Sequence, residues 1–236
     1  DICVPQKYHY SLAIEALKQG CHVLVEKPMA LHTFECNKML ETAHKHKVKL
    51  CVVHNNLFIS PVLKAKKLVE QGKIGDFIGM RIHMSDPRDV MLMKKDFWAH
   101  KLPGGLIGET GPHAAYMSLA FLRKIINVDI YVKNFLRHPW APFDEFRIEM
   151  EGEKAMSSVV ISYASNRHEY LVDLLGTDGI LKLDLSSMLL VHYKRKTSSR
   201  PVPFARHFLN VSSQVLTGIL ANAVKFSFGR LKLGHE

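Results

Sequence analysis

A charged pair closes the first strongly apolar run of the sequence. Residues 23–28 read V-L-V-E-K-P, so three aliphatic side chains lead directly into Glu26, Lys27 and Pro28. The apolar run is typical of a buried strand, and a proline restricts the backbone of the residue before it, here Lys27. An ammonium group fixed in this way can hydrogen-bond a substrate oxygen and stabilise negative charge on it. A surface lysine that merely follows a strand is the alternative interpretation.

A second pair of groups suited to proton transfer lies near the middle of the chain. The segment 103–116 reads P-G-G-L-I-G-E-T-G-P-H-A-A-Y, in which Glu109 and His113 are four residues apart. If residues 109–122 form a helix, the two side chains share one face and can touch. A carboxylate beside an imidazole orients the ring and supports its charged form, as in many general bases. The alternative is a solvent-exposed pair on a helix surface.

Helix-like and strand-like segments alternate through the first quarter of the chain. Helices are predicted over 8–19 and 33–47, and strands over 21–25 and 49–53, after a first strand that ends near Val4. This β-α-β-α-β order predicts a parallel sheet covered by helices. Because the strands lack polar alternation, we expect both of their faces to be buried.

The carboxyl ends of these three strands carry the residues of interest. Pro5 follows the first strand, Lys27 the second, and Asn56 lies just beyond the third. In parallel α/β sheets, ligands bind at this edge. We therefore expect Lys27 to face a ligand site.

The pattern changes after Asn56, and the predicted domain boundary lies near residues 56–60. Long strands with intervening turns predict a second, α+β domain with a large, mostly antiparallel open sheet flanked by helices. Residues 1–56 thus form an α/β domain and residues 57–236 the second domain. The predicted elements are helices over 61–72, 109–122 and 204–230, a polar loop over 85–103, and strands over 73–84, 128–135, 145–152, 155–163, 167–175 and 179–184.

The charge distribution and the length of the apolar runs argue against nucleic-acid and membrane partners. The formal net charge is +10, but the basic residues are spread along the chain without interleaved aromatic residues, so we predict no nucleic-acid binding. No apolar run is long enough to cross a bilayer, and no signal peptide is visible, so no membrane association is predicted.

The cysteines indicate the compartment and argue against a metal site. Four cysteines, Cys3, Cys21, Cys36 and Cys51, lie in the first quarter of the chain without a C-x-x-C pair or a ligand-like spacing. We interpret them as small buried thiols of a reducing compartment, the cytoplasm, and predict no metal site.

Several motifs together resemble the Gfo/Idh/MocA family of oxidoreductases (glucose–fructose oxidoreductase, inositol dehydrogenase and relatives). The order and spacing of the set carry the resemblance, because each motif alone is weak. The motifs are V-P-Q-K-Y-H at 4–9, A-L-K-Q-G-C-H-V-L-V-E-K-P-M-A at 16–30, F-I-S-P at 58–61, L-V-E-Q-G-K-I-G at 68–75, G-G-L-I-G-E-T-G-P-H at 104–113 and L-G-T-D-G-I-L-K-L-D at 175–184.

The resemblance implies an enzyme that uses NAD or NADP and transfers a hydride to or from a hydroxyl-bearing carbon of a sugar, cyclitol or related polyol. Residues 1–56 then correspond to the C-terminal half of a dinucleotide-binding Rossmann domain, and residues 57–236 to the substrate and oligomerisation domain. By the same resemblance, Lys27 and His113 are the catalytic pair. The implied site residues are Lys27, His113 and Glu109 for catalysis, Pro5, His9, Glu26, Lys27 and Pro28 for the nicotinamide end of the cofactor, and Asn56 and His113 for the substrate.

The sequence departs from the family pattern at several places. Glu109 stands where the family usually has aspartate, and Leu57 where many members have arginine. The G-x-G-x-x-G fingerprint that binds the pyrophosphate is absent, so we expect it, and the residue that selects NAD or NADP, to precede Asp1 in a longer protein. The family's final helix is likewise expected beyond Glu236.

The predicted second domain is also compatible with a second class of function. Second-domain sheets of this family often form dimer interfaces, so we expect a homo-oligomer. The same sheet could make the chain a non-catalytic binding or assembly module, or an inactive fragment of such an enzyme.

Overall fold

The structure, a computed structural model, describes residues 1–87, 91–194 and 201–229. These residues form a small parallel sheet and a large mixed sheet, both flanked by helices, which confirms the predicted fold class. Residues 88–90 of the predicted polar loop and residue 230 of the last predicted helix lie outside the described residues.

The small sheet is built from three neighbouring chain segments. Ile2 pairs with Val25 in a parallel bridge, so the segment before Pro5 lies beside the first strand. The Glu35 side chain accepts hydrogen bonds from the backbone N–H groups of Leu31 and His32, which satisfies donors at the start of the second helix. The elements are α1 (His9–Lys18), β1 (Val23–Glu26), α2 (Thr33–Lys45) and β2 (Leu50–Val53), with β1 and β2 parallel.

Burial in the small sheet is one-sided, which corrects the expectation that both faces are buried. Val23 and Val25 pack against α1 and α2 and are nearly inaccessible, whereas Leu24 between them is 39% exposed. The reason is that both helices lie on the same side as the valines. Cys51 of β2 is exposed as well, as are Cys3 and Cys21, so these three thiols are not the buried ones predicted.

The large sheet contains seven strands in the order β4-β5-β6-β3-β7-β8-β9. Strands β3 and β6 pair in parallel, and all other neighbours are antiparallel. The strands are β3 (Phe77–Ser85), β4 (Ile125–Lys133), β5 (Glu145–Gly152), β6 (Met156–Ser162), β7 (Glu169–Gly176), β8 (Gly179–Asp184) and β9 (Leu189–Lys194). The last of these, β9, was not among the predicted strands.

One face of this sheet packs against helices and forms the main core. Helix α4 crosses β3 and β6, where Met117 is fully buried and the hydroxyl groups of Ser118 and Ser157 are hydrogen-bonded at 2.9 Å. Burying each large apolar side chain of this core stabilises the fold by about 1.5–3 kcal/mol. The helices of this domain are α3 (Ser60–Glu70), α4 (Ile107–Leu122) and α5 (Pro201–Ser227).

The opposite face, here called the outer face, is rich in charged side chains. Arg81, Asp173 and Lys182 lie opposite one another on adjacent strands. The Arg81 guanidinium is 3.0 Å from the Asp173 carboxylate, and the Lys182 ammonium is 4.0 Å from it. These pairs are partly solvated, so they favour solubility and specific contacts more than stability.

The two edges of the large sheet differ. At β9, the side-chain amide of Gln214 on α5 accepts from the backbone N–H of His192 at 2.9 Å and donates to its carbonyl oxygen at 3.0 Å. This amide satisfies the backbone groups in the way that a neighbouring strand would. The other edge, β4, has no such partner within the described part of the chain and exposes Ile126, Val128 and Ile130.

None of the described helices is both long and apolar enough to cross a bilayer.

Candidate active site

Lys27 follows the carboxyl end of β1 and reaches into the second domain. Its ammonium forms an ion pair with the Glu109 carboxylate and donates to the Glu109 backbone carbonyl at 3.1 Å. The two side chains are only 13% and 18% exposed. Lys27 is therefore a partly buried group with a fixed position, and the interpretation as a loose surface lysine is wrong.

Glu109 lies in the first turn of α4, where the helix dipole favours a negative charge. The backbone before it is tightly placed: Gly105 has a φ of 71°, and a side chain at Gly108 would lie 2.7 Å from the Pro103 carbonyl oxygen. One carboxylate oxygen, Oε1, binds Lys27. The other, Oε2, is buried and has no hydrogen-bond partner among the described residues.

The expected contact between Glu109 and His113 is not formed. No carboxylate oxygen of Glu109 lies within 4 Å of a ring nitrogen of His113, although the two residues are one helical turn apart. The reason is that Lys27 holds the carboxylate away from the ring. Glu109 thus positions the lysine rather than the imidazole.

His113 is held through one ring nitrogen. Its Nδ1 lies 2.6 Å from the Tyr116 hydroxyl and 3.2 Å from the Asn56 side-chain nitrogen. Burial, with the positive charges of Lys27 and His54 nearby, lowers the pKa of His113 from 6.5 to about 4. The imidazole is therefore neutral near pH 7, and Nε2 makes no hydrogen bond to a described residue.

Tyr116 is a site residue that the sequence interpretation did not assign. It is 5% exposed, and its ring stacks on that of His54 with the centroids 4.5 Å apart. Its hydroxyl donates to the Asn55 side-chain oxygen at 3.1 Å, and burial raises its pKa to about 12. The i,i+3 spacing from His113 is the signal that could have identified it.

The residues implied to contact the cofactor divide into two groups. Glu26 and Pro28 flank Lys27 and are half-buried, and Pro5 is exposed at the neighbouring strand end. His9 is fully buried, with its two ring nitrogens 2.8 Å and 2.9 Å from the carbonyl oxygens of Pro28 and Val4. This ring ties two strand ends together, and no nitrogen of it is free for a ligand.

Asn56 and Tyr170 complete the polar surroundings. The Asn56 side chain contacts His113, and its backbone N–H donates to the Tyr116 hydroxyl at 3.3 Å. Tyr170, on β7, has a buried hydroxyl without a hydrogen-bond partner among the described residues. Burial and the nearby Tyr116 raise the pKa of Tyr170, which keeps its hydroxyl protonated.

Among the described residues, no group of three or more His, Cys, Asp or Glu side chains is arranged to hold a metal ion.

Family models match both parts of the chain that build this site. Residues 1–54 match the family model described as an oxidoreductase family with an NAD-binding Rossmann fold, and residues 62–182 match the Gfo/Idh/MocA C-terminal domain. The second match alone spans just over half of the 236 residues. The chain belongs to the Gfo/Idh/MocA oxidoreductase family. Lys27 lies in the first matched region, and Glu109 and His113 lie in the second.

Curated relatives of this Gfo/Idh/MocA chain include dehydrogenases. It is 28% identical to "Oxidoreductase P35" of Formosa agariphila over 133 residues, which are 54% of this chain and 41% of that protein. It is 28% identical to the glucose-6-phosphate 3-dehydrogenase of Bacillus subtilis over 116 residues, 48% of this chain and 33% of that protein. The matched part is thus less than half of each relative.

Solved structures share the fold of this family member. An NAD-binding oxidoreductase from Klebsiella pneumoniae superposes with a TM-score of 0.74 at 24% identity, covering 84% of this chain and 57% of that one. An inositol dehydrogenase homologue from Azotobacter vinelandii, complexed with NADH and myo-inositol, gives 0.72 at 21% identity, covering 83% and 53%.

Proposed function

We propose that this protein is an NAD(P)-dependent oxidoreductase that transfers a hydride between a nicotinamide cofactor and a hydroxyl-bearing carbon of a sugar, cyclitol or related polyol. The observation that supports this most directly is the contact of Lys27, at a strand end of the small sheet, with Glu109 on α4 of the second domain. This contact brings the ammonium of one domain and the imidazole of His113 to the same site.

The residues at this edge fit the nicotinamide end of the cofactor. Glu109 Oε2 is a buried acceptor without a partner among the described residues, so a hydroxyl of a bound ligand would satisfy it. Pro5, Glu26, Lys27 and Pro28 are the residues that would hold the nicotinamide and its ribose. When bound, the nicotinamide supplies the acceptor or donor of the hydride.

Lys27 is suited to activate a substrate hydroxyl. An ammonium group has three N–H donors, and two of them are used by the Glu109 carboxylate and backbone carbonyl. The third can donate to a substrate oxygen. This hydrogen bond lowers the pKa of the hydroxyl and stabilises the oxygen as it loses its proton.

His113 is suited to take that proton. Because its pKa is about 4, the ring is neutral at pH 7 and has a lone pair available. A base of this pKa is weak, so the transfer depends on the lowered pKa of the hydroxyl beside Lys27. In the reverse direction, the protonated ring returns the proton to the oxygen. Glu109 holds Lys27 in place and takes no part in the proton transfer.

The polar groups around the site support a substrate with several hydroxyls. Asn56, the Tyr170 hydroxyl and Glu109 Oε2 provide donors and acceptors beyond the catalytic pair. The relative named for glucose 6-phosphate and the structure with myo-inositol support the same class. Because Leu57 follows Asn56 where many family members have arginine, we propose that the substrate receives no arginine contact from this position.

A kinetic screen tests this proposal. The protein from its complete reading frame is incubated with NAD or NADP and a panel of aldoses, glycosides, cyclitols and linear polyols, and reduced nicotinamide is followed by absorbance. We expect turnover with at least one cyclic polyol, and loss of that turnover in Lys27→Met. No turnover with any member of the panel and either cofactor would contradict the proposal.

A second candidate is an assembly role for the large sheet. The outer face presents Arg81, Asp173 and Lys182 in register, a charge pattern that a second copy could complement. We propose a homo-oligomer formed through this face, with catalysis retained. A cytoplasmic location, and the absence of nucleic-acid and membrane partners, stay predictions from the sequence.

A further inference from the structure

The Tyr116 hydroxyl has one proton to give and three polar neighbours. The Asn56 backbone N–H lies 3.3 Å away, the Asn55 side-chain oxygen 3.1 Å and His113 Nδ1 2.6 Å. The backbone N–H can only donate, so it takes one lone pair of the hydroxyl oxygen. The hydroxyl proton can go either to the Asn55 oxygen or to His113 Nδ1. This choice decides which ring nitrogen of His113 carries the imidazole proton.

The orientation of the Asn55 amide bears on this question. Its Oδ1 also accepts from the backbone N–H of Asn56 at 2.9 Å, so the oxygen, not the nitrogen, points in this direction. A carbonyl oxygen only accepts hydrogen bonds. The contact between Asn55 and Tyr116 is therefore a hydrogen bond only if Tyr116 gives its proton to Asn55.

With its proton and one lone pair used, the Tyr116 oxygen offers His113 its second lone pair. A hydrogen bond at 2.6 Å then requires an N–H on Nδ1. We propose that Tyr116, oriented by Asn55, holds His113 in the tautomer with the proton on Nδ1 and the lone pair on Nε2. This makes Tyr116 and Asn55 positioning residues, and their catalytic consequence rests on the proposed function.

Asn56 is the competing influence on the same nitrogen. Its side-chain nitrogen lies 3.2 Å from His113 Nδ1, and a donor there favours the opposite tautomer. This contact is longer than the one to Tyr116. The other polar neighbour of the amide is the Tyr170 hydroxyl, which can pair with either the oxygen or the nitrogen of the amide. A half-turn exchanges its oxygen and nitrogen, after which the oxygen accepts from the same Nδ1–H.

The tautomer matters because the two ring nitrogens have different roles. A neutral imidazole accepts a proton only at the nitrogen without hydrogen. Nδ1 is enclosed by Tyr116 and Asn56, so a substrate proton can reach only Nε2. With the proton on Nε2, the ring would be a donor at the substrate side and could not act as the base.

Nitrogen NMR of the ring measures the tautomer directly, without cofactor or substrate. The protein is labelled with 15N-histidine, His113 is assigned by comparison with His113→Gln, and long-range 1H–15N correlations are recorded near pH 7. We expect the pattern of an Nδ1–H ring. An Nε2–H pattern in the unsubstituted protein would overturn the proposal.

Two variants of the exposed Asn55 test the cause. Asn55→Ala removes the acceptor, so Tyr116 becomes free to donate to Nδ1, and the ring should change to Nε2–H. Asn55→Asp keeps an acceptor oxygen at the same place and should retain Nδ1–H. An unchanged tautomer in Asn55→Ala would contradict the relay through Tyr116.

Tyr116→Phe removes the central hydroxyl, which leaves the Asn56 side-chain nitrogen as the neighbour of Nδ1. Because that nitrogen donates, the ring should also change to Nε2–H. Its matched control is Tyr163→Phe, which removes a buried hydroxyl bonded at 2.9 Å to the Leu106 carbonyl and should leave the His113 signals unchanged. If Tyr116→Phe does not fold, the two Asn55 variants still decide the matter.

Kinetics separates this proposal from the proposed function. In the active protein, Asn55→Ala should lower kcat about tenfold or more with little change in KM, and Asn55→Asp should restore it. If the protein shows an Nδ1–H ring but no turnover of any polyol, the tautomer assignment is correct and the proposed function is wrong.

Discussion

Lys27 and Glu109, 82 residues apart in the sequence, form an ion pair that joins the small sheet to helix α4. The pair fixes the ammonium beside His113 and uses the carboxylate that would otherwise face the imidazole.

Lys27→Met should lower both activity and stability. The variant leaves the Glu109 carboxylate buried without its counter-ion, so we expect the free energy of unfolding to fall by about 1–3 kcal/mol. A lysine without a partner would give no such loss. Loss of the hydrogen bond to the substrate oxygen should lower kcat at least about 100-fold. Denaturant unfolding and steady-state kinetics measure the two effects.

The double variant Lys27→Met/Glu109→Gln is the control. It removes both charges, so most of the lost stability should return while kcat stays low. Equal stability of the single and double variants would mean that the unpaired Glu109 carboxylate is not the cause of the loss.

His113→Ala should remove the proton acceptor and leave the binding of the cofactor unchanged. We expect kcat to fall by about 10²–10⁴ and KM for the cofactor to change little. Glu109→Gln should cost less in kcat, because the carboxylate acts through Lys27 and not on the imidazole. The kcat values of the two variants, measured at saturating cofactor, test this order. A larger loss of kcat in Glu109→Gln than in His113→Ala would refute it.

The low pKa of His113 should make stability depend on pH in a defined window. The folded ring has a pKa of about 4 and the unfolded ring about 6.5, so below pH 6.5 the unfolded chain binds more protons. Stability is therefore highest above pH 6.5 and falls as the pH drops to about 4. His113→Asn cannot titrate, so its stability should fall less over this window, measured by denaturant unfolding at each pH.

The same titration reports on Lys27. Because the ammonium charge helps to lower the pKa of His113, Lys27→Met should raise this pKa, as followed by NMR of the ring. An unchanged pKa would mean that burial alone is responsible.

Asp173→Arg should weaken self-association through the outer face. The change places three cationic side chains next to one another, since Arg81 and Lys182 flank the position. We expect the dissociation constant of the dimer, measured by analytical ultracentrifugation, to rise at least about tenfold. Glu41→Arg makes the same charge change on α2, where Glu41 pairs with Lys38, and should have no effect.

The features that could be predicted from the sequence are those that depend on the spacing of nearby residues. The strand before Lys27 and the helix that carries His113 follow from apolar runs, from Pro28, and from the Gly-rich segment before α4. Except for β9, the order of strands and helices follows in the same way, and the motif set identifies the family.

What the sequence could not predict depends on contacts between distant segments. The i,i+4 spacing allows Glu109 to meet His113, but Lys27, brought in from another domain, competes for the carboxylate with a full charge. Tyr116 acquires its role from Asn55, 61 residues away. Likewise, Leu24 has the same apolar context as its neighbours and is exposed only because both helices pack on the other side.

The amide of Gln214 covers the β9 edge of the large sheet and so makes its two edges unequal. Pairing with another strand at His192 requires displacing α5, whereas no described strand pairs with the outer side of β4, beside exposed Ile126, Val128 and Ile130. The sheet is thus a template that can be extended at one end. Strand addition, whether by a partner peptide or in the first step of fibre growth, should begin at β4.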